Sequence, residues 1–172
     1  MTMTVKSFAT AQDLWGRIED AVKQRLEEKV VDALLQRLAG VPIKSSRASR
    51  TLGAYVFKTG EPVCIRLQFV QSPESLQQTF LHEVAHACDH LSHQPKKIQR
   101  RDHGSDWQIW AVALGIPPVR CGESAELAQL HRTRLKPVAV CQKCGFVLRR
   151  IRRLNRRGDY IHSPCGGRLK TL

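Results

Sequence analysis

The sequence predicts an α+β fold: a largely helical domain with a small β-hairpin sheet, followed by a compact basic module rich in cysteine and arginine. Three observations predict it. Apolar residues recur at helical spacing over 11–39 and 72–91, the segments "TLGAYVF" and "VCIRLQFV" turn to β-branched and aromatic residues, and residues 131–172 combine a C-x-x-C pair with most of the net positive charge. A chain of 172 residues has room for one ordinary core and a small appendage. The expected division is 1–136 and 137–172, with Pro137 at the boundary.

The elements follow in order. Thr10 is placed to cap a helix over about 11–39, as one long helix or two short ones, with Leu14, Ile18, Ala21, Val22, Leu34 and Leu38 on its apolar side and Gly40 and Pro42 closing it. The two β-rich segments, joined by "KTGEP", read as a hairpin over 51–70. Ser72, Pro73 and Glu74 supply a hydroxyl cap, a proline that gives up an orphan N–H and an acid at the positive end of the dipole, so a helix runs from there to about Leu91. After the loop "SHQPKKIQRRDHG", Ser105 and Gln108 suggest a capping box for a helix with Trp107, Trp110, Ala111 and Leu114 on one face, ended by Gly115, Pro117 and Pro118. Residues 121–137 read as a short helix and linker.

Charge is distributed unevenly. Residues 1–130 hold 16 lysines and arginines against 14 acids, a net +2, whereas residues 131–172 hold 12 against one, a net +11. Such a tail calls for a polyanionic partner. The first twenty residues lack the apolar core of a secretory signal, and no apolar run nears the roughly 18 residues of a membrane span. No membrane association is therefore expected, and the expected location is cytoplasmic, associated with the nucleoid. In a reducing compartment the Cys141/Cys144 pair points to metal or redox chemistry rather than to a structural disulfide, leaving Cys64, Cys88 and Cys121 as buried thiols.

The segment "FLHEVAHACDH" carries the chemistry. His82 and His86 are one helical turn apart, 40° round the axis, so both imidazoles can meet one ion, with Glu83 beside them as a general base on a water at the metal. Leu76, Phe80, Val84, Ala87 and Leu91 form an apolar stripe opposite. His90 lies about 12 Å along the axis from His82 and His93 further still, so neither converges on the same ion. A third ligand has to return from another segment. His103, between the loop and a helix start, is so placed; Asp106 or Glu123 would serve as a carboxylate alternative. Tyr55 and Arg66 are candidate oxyanion donors. Asp89 and Ser92 stand where a metzincin pattern needs glycine and histidine, which excludes that class.

"HEVAHACDH" followed by "RRDHGSDWQIWAVALG" resembles the SprT-like, or Spartan-type, zinc metalloprotease family. The resemblance implies a zincin-type core, a catalytic zinc held by His82, His86 and His103, and proteolysis of proteins bound or crosslinked to DNA.

In the tail, Cys141-x-x-Cys144 and His162-x-x-Cys165 are separated as a zinc ribbon requires, and four protein ligands make this second zinc structural. Arg149, Arg150, Arg152, Arg153, Arg156 and Arg157, with Phe146 and Tyr160 as stacking candidates, predict backbone-dominated, weakly sequence-selective DNA binding. The partners expected are DNA and the proteins on it, acted on by a monomer. The alternative function is a non-proteolytic, regulatory nucleic-acid-binding protein with a structural or inactive H-E-x-x-H metal site; Glu83, which a purely structural site would not need, favours the enzyme.

Overall fold

The computed structural model describes residues 2–58, 61–93, 102–119, 124–155 and 157–172. Arg156, Cys121, Glu123, and residues 59–60 and 94–101 of the expected turn and loop, lie outside the described residues. The architecture is mixed α+β, with six helices and two small sheets among the described residues. Two compact units emerge, Met1–Ser124 and Ala125–Leu172, dividing ahead of the expected 136/137.

The first unit opens with three helices where one or two were expected: α1 (Val5–Ala11), α2 (Trp15–Arg25) and α3 (Glu28–Ala39). Thr10 is not the cap but lies inside α1. Thr4 caps that helix, in a capping box with Ser7. Two breaks divide the segment. Asp13 adopts φ 55° between α1 and α2, and Leu26 is extended at the end of α2. Apolar spacing survives both breaks, which is why periodicity alone cannot count the helices.

Strands β1 (Ile43–Ser45), β2 (Gly53–Lys58) and β3 (Glu61–Leu67) form a sheet of order β1-β3-β2. The expected hairpin is β2 and β3, antiparallel with an irregularity at Val56/Phe57. Strand β1 adds a parallel pairing to β3 that the sequence reading did not contain, because three residues are too few for a period-2 signal. Among the described residues strand β2 is thereby an edge, bonded to β3 alone.

Helix α4 (Pro73–Ser92) is capped by Ser72, whose hydroxyl accepts from the Ser75 N–H at 3.2 Å. It packs against β2, β3, α3 and α5 (Ser105–Ala113). Phe80, Val84 and Ala87 of the apolar stripe have no exposed surface, and Leu81, Ala85 and Cys88 are buried as well, so α4 is the central helix of the unit. Phe80 meets Phe8 with ring centroids 4.7 Å apart. On α5, Trp107, Trp110, Ala111 and Leu114 are buried as expected. The capping box there is not: Gly104 is the N-cap, Ser105 is already helical, and the Gln108 side chain donates instead to the His103 carbonyl at 3.3 Å.

The second unit holds α6 (Ala125–Arg134) and strands β4 (Lys136–Cys141), β5 (Val147–Arg150), β6 (Ile161–His162) and β7 (Gly167–Thr171), in sheet order β5-β4-β7-β6. Pro137 is in β4 rather than in a linker, at an irregularity in the pairing with β5, where a missing N–H is tolerated. Val138, Ala139 and Leu154 are its small core, with Leu148, Tyr160 and Leu169 against them. No described helix is long and apolar enough to cross a membrane.

Candidate metal centres

Helix α4 sets two imidazoles a turn apart, and the segment before α5 brings the third. The Nε2 atoms of His82 and His103 are 2.9 Å apart and those of His86 and His103 3.2 Å. Zinc–nitrogen bonds of about 2.05 Å at a tetrahedral angle place such nitrogens about 3.3 Å from one another, so the donor set fits one zinc ion with a corner left over. Burial first, and then His103, holds the His82 imidazole down at about 4; burial, His82 and His103 hold His86 at about 3. Both rings are therefore neutral, with lone pairs available to a metal.

His103 reaches the cluster with φ 62°, a left-handed conformation that costs a residue with a side chain about 1 kcal/mol. The indole of Trp107, one turn into α5, has its ring centroid 4.7 Å from that of His82, 5.3 Å from His86 and 4.5 Å from His103. It packs on all three rings, a role the sequence shows only as an apolar helix position.

Glu83 is buried against β2. Its Oε2 accepts the Tyr55 main-chain N–H at 2.6 Å. Burial raises its carboxyl to about 7, against the lowering effect of that hydrogen bond, so it exchanges a proton near neutrality. Tyr55 directs its hydroxyl to His90 Nδ1 at 2.8 Å, and Arg66 is exposed on β3. Asp106, weighed as a carboxylate ligand, joins a different group: His93 Nδ1 is 3.5 Å from Asp89 and its Nε2 3.7 Å from Asp106. Cys64 and Cys88 are buried thiols, Cys88 pushed up to about 12 by burial and the neighbouring Asp89.

The second cluster joins Cys141, Cys144, His162 and Cys165, each offering one atom within 4.8 Å of the others. Sulfur–sulfur distances of 3.4 and 3.5 Å are far too long for a disulfide, and His162 Nδ1 lies 3.2 Å from Cys165 Sγ and 3.3 Å from Cys144 Sγ. These spacings suit a tetrahedral zinc held by three thiolates and an imidazole. Backbone N–H groups, that of Cys144 first and then that of Lys143, pull the Cys141 thiol down to about 6. Gly145 and Gly166 take φ 74° and 68° in the two knuckles. A Cβ on Gly167 would sit 2.6 Å from Cys141 Sγ.

Arg149 and Arg150 lie on β5, and with Arg152, Arg153 and Arg157 they are exposed. Asp159, the one acid of residues 131–172, is 3.5 Å from Arg168. Phe146 stacks on His162 with centroids 4.4 Å apart and planes 4° from parallel, so one of its faces is taken by that ring. Tyr160 is half-buried against the small core, and its hydroxyl accepts the Asn155 N–H at 3.1 Å.

An H-E-x-x-H helix completed by a histidine from a separate segment defines a metallopeptidase-type domain, here accompanied by a Cys3His cluster whose donors also suit zinc. The SprT-like family model matches residues 18–123, more than half of the chain, and the protein belongs to the SprT-like family, which is linked to metallopeptidase-like function. No curated protein and no solved structure matches the chain.

Proposed function

We propose that the protein is a zinc endopeptidase that cuts proteins bound or crosslinked to DNA. The observation that carries the reading is the convergence of the His82, His86 and His103 Nε2 atoms beside a buried carboxylate whose proton affinity is near neutral. Zinc, when bound, supplies Lewis-acid polarisation of the scissile carbonyl and makes the attacking water more acidic. The chain's own part is proton transfer. With Oε2 held by the Tyr55 N–H, Glu83 takes the proton of the attacking water on Oε1 and passes it to the departing amine. A carboxyl near 7 is a stronger base toward the attacking water than one at 4.5, and it still gives the proton up to the more basic departing amine.

The Cys3His cluster is read as a structural zinc that organises a segment whose buried apolar cluster, among the described residues, is small. The exposed arginines around it supply the phosphate contacts that bring the peptidase to its substrates. The test is cleavage of a DNA-binding protein, with and without DNA, by wild type and by Glu83→Gln. Cleavage that needs DNA and is lost in the variant is the expected result. If the variant cleaves like wild type, Glu83 is not the base; if wild type binds DNA but never cleaves, the chain is a binding protein with an inactive site.

A further inference from the structure

We infer that Gly53 and the Tyr55 main-chain N–H form a seat on the edge strand that positions Glu83, a reading that rests on Glu83 as the general base. Thr79 and Glu83 are four residues apart on α4 and face the same point of β2. Gly53 is buried at that point. A Cβ there would lie 2.8 Å from Glu83 Oε1, 2.9 Å from Glu83 Cγ and 2.7 Å from Thr79 Cγ2. Two residues on, the Tyr55 N–H holds Oε2 at 2.6 Å. One oxygen is thus bonded by the strand while the other lies over the glycine.

The glycine is required for space, since only Gly115, Gly145 and Gly166 among the described glycines take a positive φ. A side chain at 53 could not be accommodated by the strand, because Gly53 pairs with the fully buried Leu67 and β3 is held on its far side by β1. Thr79 is stiff, being β-branched and bonded through its hydroxyl to Gln71 Oε1 at 2.9 Å, so its Cγ2, 2.7 Å from the added Cβ, gives only a little. The unbranched Glu83 side chain, with more torsions to turn, has to yield with it. Moving Cγ from 2.9 Å to the 3.4 Å of an ordinary contact displaces it by half an ångström, enough to stretch the bond from Tyr55.

Gly53→Ala is the test, measured on the zinc-loaded full chain beside wild type, Thr79→Ser and Glu83→Gln. Catalytic groups displaced on this scale lose about tenfold to a hundredfold in rate. The expected result is a fall of that size in kcat for Gly53→Ala, with KM and zinc content unchanged. The Tyr55 amide proton resonance moves upfield in Gly53→Ala, as it does in Glu83→Gln. Thr79→Ser, which loosens the same packing without touching the carboxylate, keeps both kcat and the amide signal. A wild-type kcat and amide signal in Gly53→Ala overturn the seat, and so does an equal loss of rate in Thr79→Ser. Full proteolysis by Glu83→Gln overturns the function instead, and the Tyr55 amide then still reports whether the seat exists.

Discussion

Replacing Glu83 with glutamine also makes the metal-free protein less sensitive to alkali, by an amount the structure sets. The carboxyl titrates at about 7 when folded, against 4.5 in an unfolded chain, and each unit of difference is about 1.4 kcal/mol. Because the folded value is the higher one, the stabilising contribution is complete below pH 4.5 and is lost as pH rises through 7. Between pH 5 and pH 8 this one group removes about 2.5 kcal/mol from wild type, and glutamine, which cannot ionise, removes none. His82 and His86 act in the opposite sense, since their folded values are depressed: their contribution is complete above 6.5 and is lost as pH falls toward 4 and 3. They are common to both proteins, so the difference between variant and wild type isolates Glu83. Urea unfolding of metal-free protein at the two pH values measures it. Trp15, Trp107 and Trp110 all belong to the first unit, so tryptophan fluorescence follows that unit alone. Parallel pH dependence of wild type and variant would show that burial does not raise this carboxyl, and the assignment of Glu83 as a base near neutrality would lose its physical ground.

Gly167→Ala puts a methyl 2.5 Å from Lys143 Cβ and 2.6 Å from Cys141 Sγ, so zinc should leave the Cys3His cluster faster, as read by a chromogenic chelator, while the histidine cluster keeps its metal. DNA affinity should fall steeply with salt, with a slope of about −5 in a log–log plot if six arginines meet phosphates; a flat profile measured by fluorescence anisotropy would exclude the backbone-dominated mode. Phe80→Ala, at a fully buried ring packed on Phe8, should cost about 3 to 5 kcal/mol in denaturant unfolding.

The parts legible in the sequence were those written in local chemistry. Ser72 and Pro73 announced α4, the hairpin strands announced themselves by composition, and His82, His86 and the four tail ligands by spacing. His103 was reached by geometric exclusion of His90 and His93 together with family resemblance, and the structure brings its ring to the other two. What stayed hidden depends on long-range packing. The breaks at Asp13 and Leu26 interrupt an apolar spacing that continues through them, and β1 gains its meaning only by pairing with β3. The contact of Glu83 with β2 lies between residues 28 apart. Its one local trace was a glycine inside a strand, a mark of close approach by another group.

Hydrolysis at this site requires a single ion shared by three rings. Anomalous diffraction at the zinc edge tests this directly: the account predicts a peak about 2.1 Å from the Nε2 atoms of His82, His86 and His103, and a second at the Cys3His cluster. Loss of the first peak in His103→Ala, with the second retained, agrees with it. A zinc-loaded crystal with density only at the cysteine cluster, or with the first peak unmoved when His103 is removed, contradicts it.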